Sequence, residues 1–309
     1  MLLMKPTKLC PPDQAWACWN QEKNSSRNGG VQPARAVRLS LRSAVVLAVA
    51  TVAGLAMFAW PLFVSAVPHG QAHVSDAPLF FVLIMPCLVG VVVAELSEGG
   101  LDSKALAMLG VLAAINAALR PLGAGTAGIE TVFFLLILSG RVFGAGFGFL
   151  LGSISLFASA LLTGGVGPWL PFQMLAAAWV GLGAGLLPRR VRGWREIAML
   201  SGYGVVSAYF YGTIMNLWFW PFTTGVGTQL SYLPGAGLGT NLHRFLLYDV
   251  ATSLGWDTGR AVTNVVAICV LGTAVLATLR RASRKAAFDA PATFHAPATV
   301  DEPGLAFRA

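Results

Sequence analysis

The sequence has little charge. Only 11% of its 309 residues are charged, against about 25% in an average soluble domain, and 56% are hydrophobic. Apolar runs near the length of about 20 residues that crosses a bilayer as a helix recur along most of the chain. This composition excludes an ordinary water-soluble enzyme and predicts an all-α, polytopic membrane protein embedded in a lipid bilayer.

Cysteine and histidine are also scarce, with four of each. The cysteines have neither metal-ligand spacing nor the pattern of a disulfide framework, so we expect no metal and no cofactor. His69 and His73 lie four residues apart, near Asp76, and are the one pair that resembles a ligand set. A solvated loop is the favoured interpretation, because no carboxylate cluster accompanies them.

The motifs of hydrolases and nucleotide-binding proteins are absent. The chain contains neither a GxSxG nucleophile elbow nor a phosphate-binding GxxxxGK(S/T) loop, and no set of acid, base and nucleophile is evident. The sequence therefore predicts that the protein is not an enzyme and carries no ATPase site of its own.

Eight apolar segments are predicted to be transmembrane helices. They lie at about 43–66, 78–96, 104–119, 130–140, 142–163, 170–187, 197–221 and 260–279. The boundary at Gly140 and Arg141 is the weakest, and it leaves open whether 130–163 forms one span or two. The N-terminal polar stretch lacks the features of a cleaved secretory signal, so we expect it to be a cytoplasmic tail.

The net charge of +8 indicates topology, since the basic residues flank apolar spans, and no nucleic-acid partner is expected. With the N-terminus inside, only Arg120, Arg244 and Arg260 of the 21 Lys and Arg residues fall outside. This asymmetry predicts an even number of spans in the cytoplasmic membrane of the cell, with both termini cytoplasmic.

This topology divides the chain into four parts. They are a basic cytoplasmic tail (1–42), two N-terminal transmembrane helices (43–103), a bundle of six further helices (104–281) and a disordered cytoplasmic tail (282–309). The stretch 240–258 has apolar residues at near-helical spacing, and we expect it to lie along the outer interface or to cap the bundle.

A first break in the apolar pattern lies between Arg120 and Thr131 (RPLGAGTAGIET), near the outer face. Irregular backbone at this depth is tolerated where protein or a water-filled cavity satisfies its polar groups. Two interpretations stay open. Arg120, Thr126, Glu130 and Thr131 line a solute site, or an ion pair between Arg120 and Glu130 closes a tight turn.

A second break, 164–173 (GGVGPWLPFQ), is expected on the same side. Trp169 offers a stacking face or belongs to the interfacial aromatic belt, and Gln173 brings an amide into an apolar span, where it needs a partner or a ligand. Asn216 and Trp218 add an amide and an aromatic ring near the outer half of the seventh span. As a lone stripe, these two would more often serve packing, and we include both in the predicted substrate-binding site.

Gly110, Ala114 and Ala118 recur every four residues on the third span. Small residues at this spacing let a second helix approach closely. Packing inside the bundle and docking to a separate membrane subunit are both compatible with this pattern.

The order of these pieces resembles one family, the substrate-binding S components of energy-coupling factor (ECF) transporters. The similarity runs from about Ala105 to Leu187. Its pieces are the VFG turn at 142–144, the Gly- and Ser-rich span 146–159, the GPW segment at 167–169 and then Gln173. Two features differ. The first two spans are additional, and relatives often carry an Asn-Val-Gln-Pro-like phrase where this chain has GTAGIET.

The resemblance implies a six-helix bundle that captures a vitamin-like solute on the outer face, with a cobalamin-type solute as the first candidate. It implies docking on a transmembrane T component through Gly110, Ala114 and Ala118, and release driven by two cytoplasmic ATPases. In this scheme Arg120, Glu130 and Gln173 orient the solute and Trp169 gives apolar contact.

Two other classes of protein remain as alternatives. One is a membrane-embedded enzyme or assembly factor that acts on lipid-linked substrates through the Arg120 to Glu130 segment. The other is a self-contained secondary transporter, for which neither inverted repeats nor a convincing ionisable residue at mid-membrane depth is evident.

Overall fold

Helices dominate the computed structural model, which describes residues 40–63, 103–123, 127–167, 169–223 and 227–286. The main helices are α1 (Leu41–Phe58), α2 (Ser103–Leu119), α3 (Val132–Phe143), α4 (Ala145–Thr163), α5 (Leu170–Leu186), α6 (Trp194–Thr223) and α7 (Leu238–Ala286). A four-residue helical turn, Trp60–Phe63, follows α1, and a 3-10 turn, Arg120–Leu122, follows α2. The predicted span 78–96 lies outside the described residues.

Length and composition agree with a polytopic membrane protein. Five helices, α1, α2 with its 3-10 turn, α4, α6 and α7, are long and apolar enough to cross a membrane. Two further apolar helices, α3 and α5, are shorter. The predicted fold class, all-α and polytopic, is therefore confirmed.

The region 130–163 forms two helices, and the break between them lies at Gly144. This residue has φ of 103°, a backbone conformation that favours glycine because it has no Cβ. The predicted boundary at Gly140 and Arg141 was therefore slightly misplaced. Arg141 belongs to the last turn of α3, where its side chain is buried rather than exposed in a loop.

The last helix is longer than predicted. α7 has 49 residues, so it is about 70 Å long, more than twice the hydrocarbon thickness of about 30 Å. The predicted span 260–279 is its second half, and the stretch 240–258 is its first half. The prediction that this stretch lies along the outer interface or caps the bundle is therefore corrected. The stretch continues the same helix and pairs with α6 around Trp220, Phe245 and Tyr248.

Glycines bring the backbones of α4 and α5 into direct contact. A Cβ atom on Gly148 would overlap the carbonyl oxygen of Gly181, and one on Gly152 would overlap the carbonyl group of Ala177. Gly148 and Gly152 are one turn apart on α4, as are Ala177 and Gly181 on α5, so small residues form a facing pair of stripes.

The small-residue stripe on α2 has a different environment. Gly110, Ala114 and Ala118 are exposed, and a Cβ on Gly110 would meet nothing within 4 Å. Within the described ranges, this stripe therefore takes no part in helix packing.

The first helix packs against the other helices. The ring of Phe58 on α1 meets that of Phe172 edge to face, with 5.0 Å between ring centroids. Trp179 Nε1 donates a hydrogen bond to Thr51 Oγ1 at 3.2 Å, and Trp60 Nε1 donates to the carbonyl of Trp218 at 3.1 Å. α1 is thus held by α5 and α6.

One buried acid joins three helices at the end of the bundle where α6 begins. Glu196 accepts from Arg141 Nε at 2.7 Å and from Arg280 Nη2 at 2.6 Å. The Arg141 guanidinium also donates to the carbonyls of Leu187, Pro188 and Val191, which closes the loop between α5 and α6. We call this end, which also carries Lys104, the basic end.

We predict that Gly148→Ala destabilises the protein, because the new methyl group must push α4 away from the Gly181 backbone. Overpacking of this kind costs about 1–3 kcal/mol, which lowers the midpoint of thermal unfolding in detergent. Gly110→Ala is the matched control, since it adds the same methyl group where space is open. Equal midpoints for the two variants would contradict the close contact between α4 and α5.

Candidate functional site

The two breaks predicted from the sequence meet at the end of the bundle opposite the basic end. Arg120, just after α2, donates from Nη2 to Gln173 Oε1 on α5 at 3.2 Å. Its Nη1 donates to Ser159 Oγ on α4 at 3.5 Å. Arg120 therefore joins the ends of three helices, and we call Arg120, Ser159 and Gln173 the arginine site.

A second hydrogen bond fixes the segment that carries Arg120. The hydroxyl of Thr131 donates to the carbonyl of Leu119 at 2.6 Å, so the start of α3 is tied to the last residue of α2. This bond satisfies one of the carbonyls that a helix end leaves open. Thr131 thus positions the chain on both sides of the break.

Two tryptophans lie close to the first turn of α5, which carries Gln173. Trp169 precedes Gln173 by one helical turn, is partly exposed, and places its ring over Gly167. Trp218 is buried and stacks on Phe172, with 4.2 Å between ring centroids and 2° between planes. The first turn of α5 therefore presents Gln173 towards Arg120 and Phe172 towards α6.

Glu130 pairs with Arg260 on α7. Arg260 donates from Nε and Nη2 to the two oxygens of Glu130 at 3.0 and 3.2 Å, and from Nη1 to Asp257 Oδ1 at 2.6 Å. The interpretation in which an ion pair between Arg120 and Glu130 closes a tight turn is therefore wrong. Arg260 lies in a helix and is buried.

Aromatic rings complete the surroundings of Arg260. Its Cζ lies 5.0 Å from the ring centroid of Tyr211 and 5.7 Å from that of Phe133, distances at which a guanidinium is attracted to a ring face. Arg260 Nη1 also donates to the carbonyl of Ala208 at 3.2 Å. The Arg260 guanidinium is thus surrounded by two ring faces and a backbone carbonyl, in addition to the carboxylates of Glu130 and Asp257 that compensate its charge.

Asn216 belongs to a different polar group, between α6 and α7. Its Nδ2 donates to Asp249 Oδ1 at 2.7 Å and to the hydroxyl of Ser253. Thr213 donates to the other oxygen of Asp249 at 2.8 Å. No hydrogen bond joins Asn216 to the arginine site in the part of the chain that the structure describes.

Several residues singled out in the sequence lie outside the described residues, namely Thr126, His69, His73 and Asp76. Among the residues that are described, no group of three or more His, Cys, Asp and Glu side chains is arranged to hold a metal ion.

Sequence reasoning missed Ser159, Phe172, Arg260 and Asn116. Asn116 is fully buried on α2, one turn before Arg120, and neither of its amide atoms has a hydrogen-bond partner among the described residues. A signal was present, because an amide within an apolar span is a marker of function or of polar pairing. Arg260 carried a similar signal, since Asp257 precedes it by three residues, the spacing of a helical ion pair.

Comparison with known families identifies one match. Residues 104–248 match the sequence model of the family described as ECF transporter, substrate-specific component. The matched segment is slightly less than half of the chain and runs from the first turn of α2 into α7, so it contains the arginine site. No curated protein and no solved structure matches the chain.

We predict that Arg260→Gln strongly destabilises the protein, because it leaves Asp257 buried without a cation. The removal of one partner of a buried ion pair costs about 3–5 kcal/mol. The double variant Arg260→Gln with Asp257→Asn also removes the stranded charge and is expected to regain part of that stability in thermal unfolding. A double variant less stable than the single one would contradict the pairing.

Proposed function

We propose that the protein is the substrate-binding membrane subunit of an ATP-driven importer of the ECF type. The family match over residues 104–248 carries this proposal. Two independent features of the structure support it, a polar site near one end of an apolar bundle and an exposed small-residue face on α2. In this role the chain binds a solute and leaves the energy of transport to its partners.

The solute is captured at the arginine site, on the outer face of the membrane. Arg120 and Gln173 orient it through hydrogen bonds, and Trp169 supplies a partly exposed ring beside them. The basic end faces the cytoplasm in this orientation, which agrees with the preference of Lys and Arg for the inner side. A vitamin-like solute is expected, with a cobalamin-type compound as the first candidate.

Transport depends on other subunits. Gly110, Ala114 and Ala118 form the face that docks on a T component, and their exposure leaves room for the close approach of a partner helix. Two cytoplasmic ATPases attached to the T component supply the energy, since the chain has no phosphate-binding loop.

The rival functions receive less support. An enzyme acting on lipid-linked substrates through the Arg120 to Glu130 segment would use both residues together, whereas Glu130 is engaged by Arg260. A self-contained secondary transporter is expected to contain inverted repeats, and none is evident in the sequence.

We expect solute uptake only when the chain is reconstituted into proteoliposomes with a T component and both ATPases, with ATP inside. Radiolabelled cobalamin is the first compound to measure. A matched reconstitution with an ATPase variant that binds but does not hydrolyse ATP is the control, and it should give no uptake. Uptake by the chain alone would refute the dependence on partners and favour the secondary transporter.

The same complex tests the docking face. Ala114→Leu is expected to abolish co-purification with the T component while it leaves thermal unfolding of the isolated chain unchanged, because Ala114 is exposed. Ala277→Leu, which puts the same side chain at an exposed alanine on α7, is the control, because Ala277 lies on a different helix.

We predict that Gln173→Ala weakens the binding of a transported compound by at least about tenfold, because it removes a hydrogen-bonding amide and one anchor of Arg120. Trp169→Ala is expected to weaken binding through lost ring contact. Affinity is measured by titration calorimetry on purified protein, and Gln229→Ala, an exposed glutamine in the loop before α7, is the control. Unchanged affinity in both site variants would refute the site while leaving the family proposal standing.

A further inference from the structure

Arg120 differs from Arg141 and Arg260, whose side chains are buried in the described part of the bundle. Arg141 is paired with Glu196, and Arg260 is paired with Glu130 and Asp257. Arg120 is half-buried, and its hydrogen bonds go to the neutral side chains of Ser159 and Gln173. In the described ranges, the charge of Arg120 therefore has no acidic partner.

The two neutral acceptors orient the guanidinium without compensating its charge. Their distances from Arg120, 3.5 and 3.2 Å, exceed the 2.7–2.9 Å typical of a charge-assisted bond to a carboxylate. A guanidinium has five N–H donors, and these bonds use two of them. Arg120 thus keeps N–H donors for a further acceptor. An anionic acceptor would stabilise it most, because a cation in an apolar bundle is costly unless its charge is paired.

More unpaired polar groups lie one helical turn further into the bundle. Arg120 and Asn116 are four residues apart beside α2, and Ser159 and Ser155 are four residues apart on α4, which runs parallel to α2. Asn116 and Ser155 are fully buried, and neither side chain has a hydrogen-bond partner among the described residues. Buried polar groups are normally hydrogen-bonded, so these atoms are suited to a polar ligand next to Arg120.

We infer that the solute carries an anionic oxygen group, a carboxylate or a phosphate, that binds the Arg120 guanidinium, while Asn116 and Ser155 bind a neutral polar part of the same molecule. The inference rests on the proposed function and narrows it to a class of substrate. It applies to a free vitamin acid and to a corrinoid with a phosphodiester, which are two sources of the same chemistry.

Three matched pairs of compounds test the inference. Two pairs differ only in the anionic group: nicotinate and nicotinamide, and biotin and biotinamide. The third pair is cobalamin and cobinamide, which lacks the phosphodiester together with the ribose and base of the nucleotide, so a difference within this pair is assigned to the anion only when Arg120→Gln removes it. Thermal unfolding of the full chain in detergent reports binding, because a ligand that binds only the folded state raises the midpoint. We expect stabilisation by the anionic member of at least one pair and at least about tenfold weaker binding of its relative.

Variants then assign the effect to Arg120. Arg120→Gln is expected to lose at least about tenfold in affinity for the anionic compound, and Arg120→Lys, which keeps the charge, to lose less. Arg244→Gln is the matched control, because Arg244 donates to the carbonyls of Thr228 and Ser231, away from the site. The unfolding midpoint of each variant without ligand shows whether it is folded.

The outcomes separate this inference from the proposed function. Equal binding of both members of a pair, or full affinity in Arg120→Gln, overturns the anionic class and leaves the importer proposal intact. If no compound of the panel stabilises the chain, the inference of an anionic solute is overturned for these vitamin classes. The proposed importer function is then tested separately by ATP-dependent uptake. Stabilisation by nicotinate or biotin alone assigns a carboxylate, and stabilisation by cobalamin alone assigns a phosphodiester if it is lost in Arg120→Gln.

Discussion

The contact between the backbones of α4 and α5 positions the rest of the candidate site. Because Gly148 and Gly181 have no side chains, the two helices approach until their main chains touch. Ser159 lies further along α4 and Gln173 lies near the start of α5, so both acceptors of Arg120 are carried by this one pair of helices. Arg120 reaches them from α2, a third helix. A shift of α4 against α5 would therefore change the distance between the two groups that hold its guanidinium.

Much of the fold followed from hydrophobic length. The predicted spans 104–119, 142–163 and 170–187 agree to within a few residues with α2, α4 and α5, because a membrane requires apolar runs of a set length. The full length of α7 could not be predicted from hydrophobic length, because its first half contains Arg244 and Asp249 and has the pattern of an interfacial segment. That half is helical because it pairs with α6 through Trp220 and Tyr248, a contact between distant parts of the sequence.

The candidate site was predictable only in part, again because some of its contacts join distant parts of the sequence. The residues of the two breaks were identifiable, because proline, glycine and polar side chains interrupt apolar runs, and the structure joins Arg120 to Gln173. The partners were not identifiable. Glu130 and Arg260 are 130 residues apart, and the sequence near Glu130 offers Arg120 as a closer cation. The packing of α7 against α3 determines that Glu130 pairs with Arg260 and not with Arg120.

The unbroken course of α7 links the two ends of the bundle mechanically. Arg260 holds Glu130 near the arginine site, and Arg280 holds Glu196 at the basic end. Twenty residues separate these arginines, about 30 Å along the axis, which is close to the thickness of the hydrocarbon layer. Neither ion pair can change its position alone unless the helix bends. Because both ion pairs are made by one continuous helix, a tilt of α7 at one end of the bundle displaces its side chains at the other end as well.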